Sequence, residues 1–165
     1  MKKIIILFVV SCCILVQNQA KAQADSIPLY NPMENAQEGI NHAVTLAKAQ
    51  NKQVLIQAGG NWCSWCLRFN KFTKNDVHID SLLKTDFIIY HLNYSKENYN
   101  KPVFEKYGLA QRFGFPVFLI LDGDGKLLHI QNSSYLEQGN GYSAEKVLDF
   151  LNSWTTAALD PKNYK

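Results

Sequence analysis

The sequence predicts a single α/β domain built on a mixed sheet of about four strands flanked by helices. Three observations predict it. Short apolar runs alternate with stretches of helical periodicity through most of the chain. The run Val117-Phe118-Leu119-Ile120-Leu121 is followed by Asp122-Gly123-Asp124-Gly125 and a second, weaker apolar run, a hairpin signature. The length of 165 residues, with 47% hydrophobic and 19% charged residues and no biased tract, suits one packed domain and excludes a disordered chain.

Each element follows in order. Asn31-Pro32-Met33-Glu34 offers an N-cap, a proline at the first helical position and a glutamate at the third. Ile40, Ala43, Val44 and Ala47 then recur at helical spacing, so residues 34–50 read as an amphipathic helix. Val54-Leu55-Ile56 before Gly59-Gly60 reads as a buried strand ending in a turn. Residues 63–74 read as a helix starting at the cysteines, with Leu67 and Phe72 inward, and residues 76–84 as another, with Val77, Ile79, Leu82 and Leu83 as its apolar positions. Phe87-Ile88-Ile89-Tyr90 is a second strand, residues 93–100 a polar loop, and Pro102 opens a short helix carrying Val103, Phe104 and Tyr107. Residues 117–121 and 127–131 make the hairpin. Ser143 caps a last helix with Val147, Leu148, Leu151, Trp154 and Ala158 on one face. Strands separated by helices predict parallel pairing in the first half, and the hairpin predicts antiparallel pairing in the second.

The first two dozen residues have a different character. Lys2 and Lys3 precede the apolar run Ile4 to Val16, and the chain then turns polar through Gln17-Asn18-Gln19. This is the profile of a secretory signal peptide, since a membrane-spanning helix needs about 20 apolar residues. Ala20-Lys21-Ala22 and Ala22-Gln23-Ala24 both fit the small-residue cleavage preference, which places the signal at residues 1–24, with cleavage after 22 or 24, and the single domain at 25–165. A bacterial lipoprotein anchored through Cys12 of Val9-Val10-Ser11-Cys12 is the competing reading, and a buried N-terminal element a third. No other stretch approaches membrane-spanning length, so we expect no stable membrane insertion of the mature chain, which is exported to the periplasm or secreted. Taking Lys2, Lys3 and Lys21 from the 17 basic residues leaves 14, equal to the 14 acidic ones. A neutral mature chain without a basic cluster gives no support to nucleic-acid binding.

Removing the leader also leaves only Cys63 and Cys66 of the four cysteines. A disulfide closing so short a loop restricts the unfolded chain little, so the pair points to chemistry rather than stability. At the start of a helix, free N–H groups and the helix dipole favour an anion, which predicts a lowered pKa for Cys63, within the range of roughly 3.5 to 7.5 found for such thiols. Cys63 is then the nucleophile and Cys66, one turn inside the helix, the resolving thiol. Half of a zinc site is the alternative, but four ligands are needed and no third cysteine remains. His42, His78, His91 and His129 form no ligand-like pair, so no metal is expected.

Gly60-Asn61-Trp62-Cys63-Ser64-Trp65-Cys66 after the strand at 54–56, Gly114-Phe115-Pro116-Val117 opening the next long strand, and Asp122-Gly123-Asp124-Gly125-Lys126 together resemble a thioredoxin-like domain over about residues 34–157. The stretch from Lys71-Phe72-Thr73 to Phe87 is most similar to exported thioredoxin-like proteins related to the C-terminal domain of the membrane electron carrier DsbD. The resemblance implies a thioredoxin-like fold and thiol:disulfide exchange with protein or peptide disulfides, with no cofactor beyond the two cysteines. It further implies a cis Pro116 beside the pair and a Phe115 backbone free to pair with an extended substrate. Trp62 shapes the site. By analogy the protein is a reductase fed by a membrane electron donor of the DsbD type, and we expect a monomer.

Three departures stand out. Where thioredoxins carry a buried aspartate six residues before the first cysteine, this chain has Gln57, which cannot accept a proton as a carboxylate does. The aromatic four residues before the first cysteine is replaced by Gly59, which is expected to open space near the site. The central dipeptide is Ser64-Trp65 rather than the Gly-Pro of thioredoxin, and this dipeptide tunes the reduction potential. Trp65 is either an exposed substrate contact or folded back on the core. Arg68 and Lys71 either add to the positive field at Cys63 or line a solvated helix face. Phe69, Phe72, Phe113 and Phe118 are expected in the core. A different reading of the same two thiols is a metal-binding module that holds Cu(I), an ion suited to soft ligands.

Overall fold

A computed structural model describes residues 28–165. The signal-peptide reading of residues 1–24, its cleavage sites and Cys12 lie outside these described residues. The first helix, α1 (Ala36–Gln50), starts one turn later than expected, because Asn35 and not Asn31 is its cap. The Asn35 side chain accepts from the N–H groups of Gln37 and Glu38, whereas Asn31 accepts from Met33 N in a turn that precedes the helix. Ala36, Ile40, Ala43 and Ala47 form its buried stripe.

Strand β1 (Gln53–Gly59) is buried along its whole length. Helices α2 (Ser64–Asn75) and α3 (Val77–Asp86) return the chain to β2 (Phe87–Asn93), which pairs parallel to β1 with Val54 opposite Ile88. The short helix α4 (Lys101–Lys106) and a 3-10 turn at Ala110–Phe113 lead into β3 (Val117–Leu121), which coincides with the five-residue apolar run. β3 is antiparallel to both β1 and β4 (Leu127–Asn132), giving the order β2-β1-β3-β4 in one mixed sheet. The β3–β4 turn is closed by Asp122, whose carboxylate accepts from Asp124 N and Lys126 N, and by Gly125 at φ +80°. A 3-10 turn at Ser133–Leu136 and a two-residue hairpin, β5 (Glu137–Gln138) with β6 (Gly141–Tyr142), precede α5 (Ala144–Ser153) and carry no signal in the sequence.

Strand residues alternate between the two faces of the sheet. Val54, Ile56, Ala58, Val117, Leu119 and Leu121 join α1 and α4 in one core. Leu55, Phe118 and Ile120 join α2, α3 and α5 in the other, with Phe69, Ile79, Leu83, Val147, Phe150 and Leu151. Three expected core positions face outward instead. Leu67 is 41% exposed and Val77 and Phe113 are exposed too. The phase of α2 is set by Cys66, Phe69 and Thr73, and Leu67 falls off that face. Val77 is the first residue of α3, before its buried stripe begins, and Phe113 ends the 3-10 turn against the guanidinium of Arg112. Among the described residues no helix is long and apolar enough to cross a membrane.

Candidate functional site

Cys63 lies at the junction of the loop after β1 and the first turn of α2. It is the N-cap of that helix, and its sulfur accepts from Cys66 N at 3.1 Å, which places that sulfur at the positive end of the helix dipole. Cys63 and Cys66 form a disulfide, with their Cα atoms 5.2 Å apart. The two cysteines differ slightly in access. Cys63 is 5% exposed and Cys66 is fully buried.

Phe115 and Trp65 pack against the cluster that holds this pair. The Phe115–Pro116 peptide bond is cis and Pro116 is buried at the entry to β3. Phe115 packs against the cysteines, and Trp62 meets its ring edge-on at 5.7 Å. Trp62 itself is 60% exposed, and its indole N–H donates to Tyr94 O at 2.7 Å. Gly60 permits this, since a side chain there would strike the indole and the Tyr94 carbonyl. Trp62 and Tyr94 line an open, mostly apolar pocket of about 340 Å³ with Tyr99 on its rim and Ser95, Lys96 and Glu97 at its edge. Trp65 is folded back: it is half-buried, stacks edge-on against Tyr142 at 5.6 Å and lies under the Arg68 guanidinium, 4.6 Å from its centroid. Arg68 also donates to Asn140 O, which ties α2 to the small hairpin. Phe69 and Phe118 are core residues, 4.4 Å apart, and Phe72 is partly buried beside Tyr142.

The space at Gly59 is filled. A Cβ there would overlap Cys66 Sγ and sit 3.0 Å from the hydroxyl of Tyr30, so the missing aromatic is replaced by a ring from the segment before α1. Tyr30 is fully buried and forms a cluster with Cys63 and Cys66. Asn61, two residues before Cys63, holds it in place: its Oδ1 accepts from Tyr30 N at 3.1 Å and its Nδ2 donates to Tyr30 O at 2.8 Å. Gln57 donates through Nε2 to the Tyr30 hydroxyl at 2.8 Å and to Cys66 O at 3.0 Å. Burial holds the Tyr30 hydroxyl well above the ordinary tyrosine range. His91, opposite Gln57 in the β1–β2 register, meets the Tyr30 ring edge-on at 5.6 Å, and burial, helped by the charge of Lys74, pushes its pKa down to about 4. His91 is therefore neutral near pH 7.

Periodicity could not have singled out Tyr30 or Asn61, because neither lies in a patterned element. The available signal was Gln57 itself, a polar residue inside a buried strand, which must find a partner. No group of three or more His, Cys, Asp and Glu side chains able to hold a metal ion occurs among the described residues.

A sequence comparison with curated proteins finds no match. Solved structures share the architecture. A disulphide isomerase from Xylella fastidiosa Temecula1 superposes with a TM-score of 0.67 at 20% identity, over 77% of this chain and 96% of that one. The oxidised C-terminal domain of DsbD from Neisseria meningitidis superposes with a TM-score of 0.51 at 17% identity, over 71% of this chain and 94% of the other. At these identities the likeness establishes the fold. A family model described as thioredoxin-like matches residues 35–123, a span that runs from the cap of α1 through both cysteines and Pro116 to the β3–β4 turn, and the chain belongs to that thioredoxin-like family.

Proposed function

We propose that the protein is an exported thiol:disulfide oxidoreductase that exchanges the Cys63–Cys66 dithiol and disulfide with protein or peptide substrates, acting as a reductase. The observation that carries this reading is the Cys63–Cys66 disulfide at the start of α2, with Cys63 as the helix cap, 5% exposed, and Cys66 fully buried. Phe115, whose backbone makes no hydrogen bond among the described residues, offers an edge to an extended substrate, and the pocket beside Trp62 offers an apolar seat for a neighbouring side chain. Trp62, Phe115 and Pro116 are the substrate-contact residues of this reading. Trp65 contributes through the packing of α2 and through its remaining exposed edge. Reduction requires a supply of electrons, which in an oxidising compartment calls for a membrane donor of the DsbD type. The mature chain begins at Gln23 or Asp25.

Replacing Cys66 with Ser tests the exchange chemistry. A mixed disulfide through Cys63 is expected to accumulate with substrate extract, and the intact protein is expected to reduce insulin; neither adduct nor activity would overturn the proposal. Equilibration with glutathione tests the direction. A potential near the roughly −270 mV of thioredoxin supports a reductase, and one near the roughly −120 mV of a strong oxidant reverses the assignment.

A further inference from the structure

Where a carboxylate would stand beside the resolving cysteine, this chain places a buried phenol. We propose that Tyr30 is a catalytic residue of the pair: its hydroxyl donates a hydrogen bond to the Cys66 sulfur when that sulfur carries the negative charge, and Gln57 is the positioning residue that aims it. The inference rests on the redox reading of Cys63 and Cys66.

The geometry carries it in four steps. Tyr30 is fully enclosed in a cluster with the two cysteines, so its hydroxyl has no bulk water to turn to. Its backbone is pinned at both N–H and C=O by Asn61, in the same loop that delivers Cys63. Its oxygen already accepts from Gln57 Nε2 at 2.8 Å, and its own proton has no acceptor among the described residues while the disulfide is closed. A phenol spends one lone pair on Gln57 and keeps one proton to give. Finally, the Cys66 sulfur and the hydroxyl crowd the same side of Gly59, where a Cβ would overlap the sulfur and sit 3.0 Å from the oxygen. A bare glycine keeps that approach open.

Tyr30 acts as a donor and not as a base. Burial keeps its hydroxyl protonated, and Gln57 offers an amide N–H rather than a carboxylate. The other titratable and charged groups near this cluster are His91 of β2, held neutral, with Lys74 of α2 acting on it, and Tyr142 of β6. The Tyr142 hydroxyl is itself raised by burial, with Glu137 raising it further and Arg68 opposing. The side chains acting on the Tyr30 hydroxyl are Gln57 and Tyr142, neither of them a carboxylate. In the forward step an incoming thiolate attacks Cys63 Sγ; the new S–S bond joins the partner to Cys63, the Cys63–Cys66 bond breaks, and its electron pair leaves on Cys66 Sγ. The Tyr30 O–H then turns to that thiolate without giving up its proton. In reverse, the Cys66 thiolate attacks Cys63 Sγ of the mixed disulfide, the partner departs as a thiolate, and the hydrogen bond is lost.

The test uses the full chain and reads the Cys66 thiol by its ¹³Cβ shift against pH in a Cys63→Ala background. Tyr30→Phe is expected to raise the Cys66 pKa by at least one pH unit and to slow glutathione opening of the disulfide in the Cys63-containing protein about tenfold, as loss of a charge-assisted hydrogen bond should. Site-specific 3-fluorotyrosine at position 30, a stronger donor of almost the same shape, is expected to lower that pKa. A purely structural ring predicts no such opposite movement. An unchanged Cys66 titration in both folded variants overturns the inference, and if Tyr30→Phe does not fold, the fluorinated chain alone decides by the same criterion. Protein-substrate exchange is run in parallel with glutathione. Its failure in the unmodified protein overturns the proposed function, while the thiol titration still judges Tyr30 separately.

Discussion

The two halves of β1 are equally buried and chemically opposite. Val54, Leu55 and Ile56 are plain core, opposite Ile88, Ile89 and Tyr90 of β2 and Leu121, Ile120 and Leu119 of β3. Gln57, Ala58 and Gly59 occupy the same sheet and the same depth, yet they carry an amide bonded to a tyrosine and to a cysteine carbonyl, and a glycine pressed against a sulfur. Burial costs a polar group little when every bond is supplied and much when one is missing. The first half of the strand therefore contributes stability through area, and the second spends specific hydrogen bonds to hold a site in place.

Substitutions should separate the halves. Ile56→Ala is expected to cost about 2 to 5 kcal/mol in urea unfolding, as a large-to-small change in a closed core does, while thiol exchange per folded molecule stays unchanged. Gly59→Ala, on the other half, is expected to cost about 1 to 3 kcal/mol by overpacking against Cys66 and Tyr30, and unlike Ile56→Ala it should alter the rate of disulfide opening. A stability loss at Gly59 with unaltered kinetics would merge the two halves into one core.

A pH titration sharpens the contrast without mutation. His91 faces Gln57 and has its folded pKa lowered to about 4, below the roughly 6.5 of the unfolded chain, so between those values the unfolded state binds more protons. Stability is complete above the unfolded pKa and falls as pH drops from about 6.5 towards 4. The loss between pH 7.5 and pH 5 is expected to be about 2 kcal/mol, read as the urea midpoint, and His91→Asn should flatten it. The register partner at the other end, Val54 with Ile88, has nothing to titrate. The smallest effect is expected from Asn61→Ala, about 1 kcal/mol, together with faster proteolysis around residues 28–33 as the leading segment loosens. Unchanged protection there would show that Tyr30 is held by its ring alone.

Elements with strong local patterns were legible in the sequence and others were not. The run at 117–121 is apolar at every position because both faces of β3 are covered, and its bounds match the strand. The strand read at 54–56 continues to Gly59 because Gln57, which looks like a stop in the sequence, has its amide N–H groups satisfied inside by the Tyr30 hydroxyl and Cys66 O. The cap of α1 moved from Asn31 to Asn35 because both asparagines make local bonds to following N–H groups, and only packing decides which one starts the helix. The β5–β6 hairpin is two residues a side, too short for any period to register, yet it delivers Tyr142, whose hydroxyl donates to Trp65 O at 3.2 Å and whose ring packs edge-on against Trp65.

The sequence alone determined the placement of Cys63 and Cys66 as a pair at a helix start, because two cysteines one helical turn apart are a local arrangement that spacing defines. It also determined the hairpin and the alternation of faces, which depend on periods of two and 3.6 within single elements. Only the tertiary structure decided what stands behind the pair. Tyr30 reaches Asn61 and Gln57 across 31 and 27 residues of chain, and Gly59 makes room for the contact by lacking a side chain. A buried hydrogen bond is chosen by proximity in three dimensions, so no local pattern could announce it.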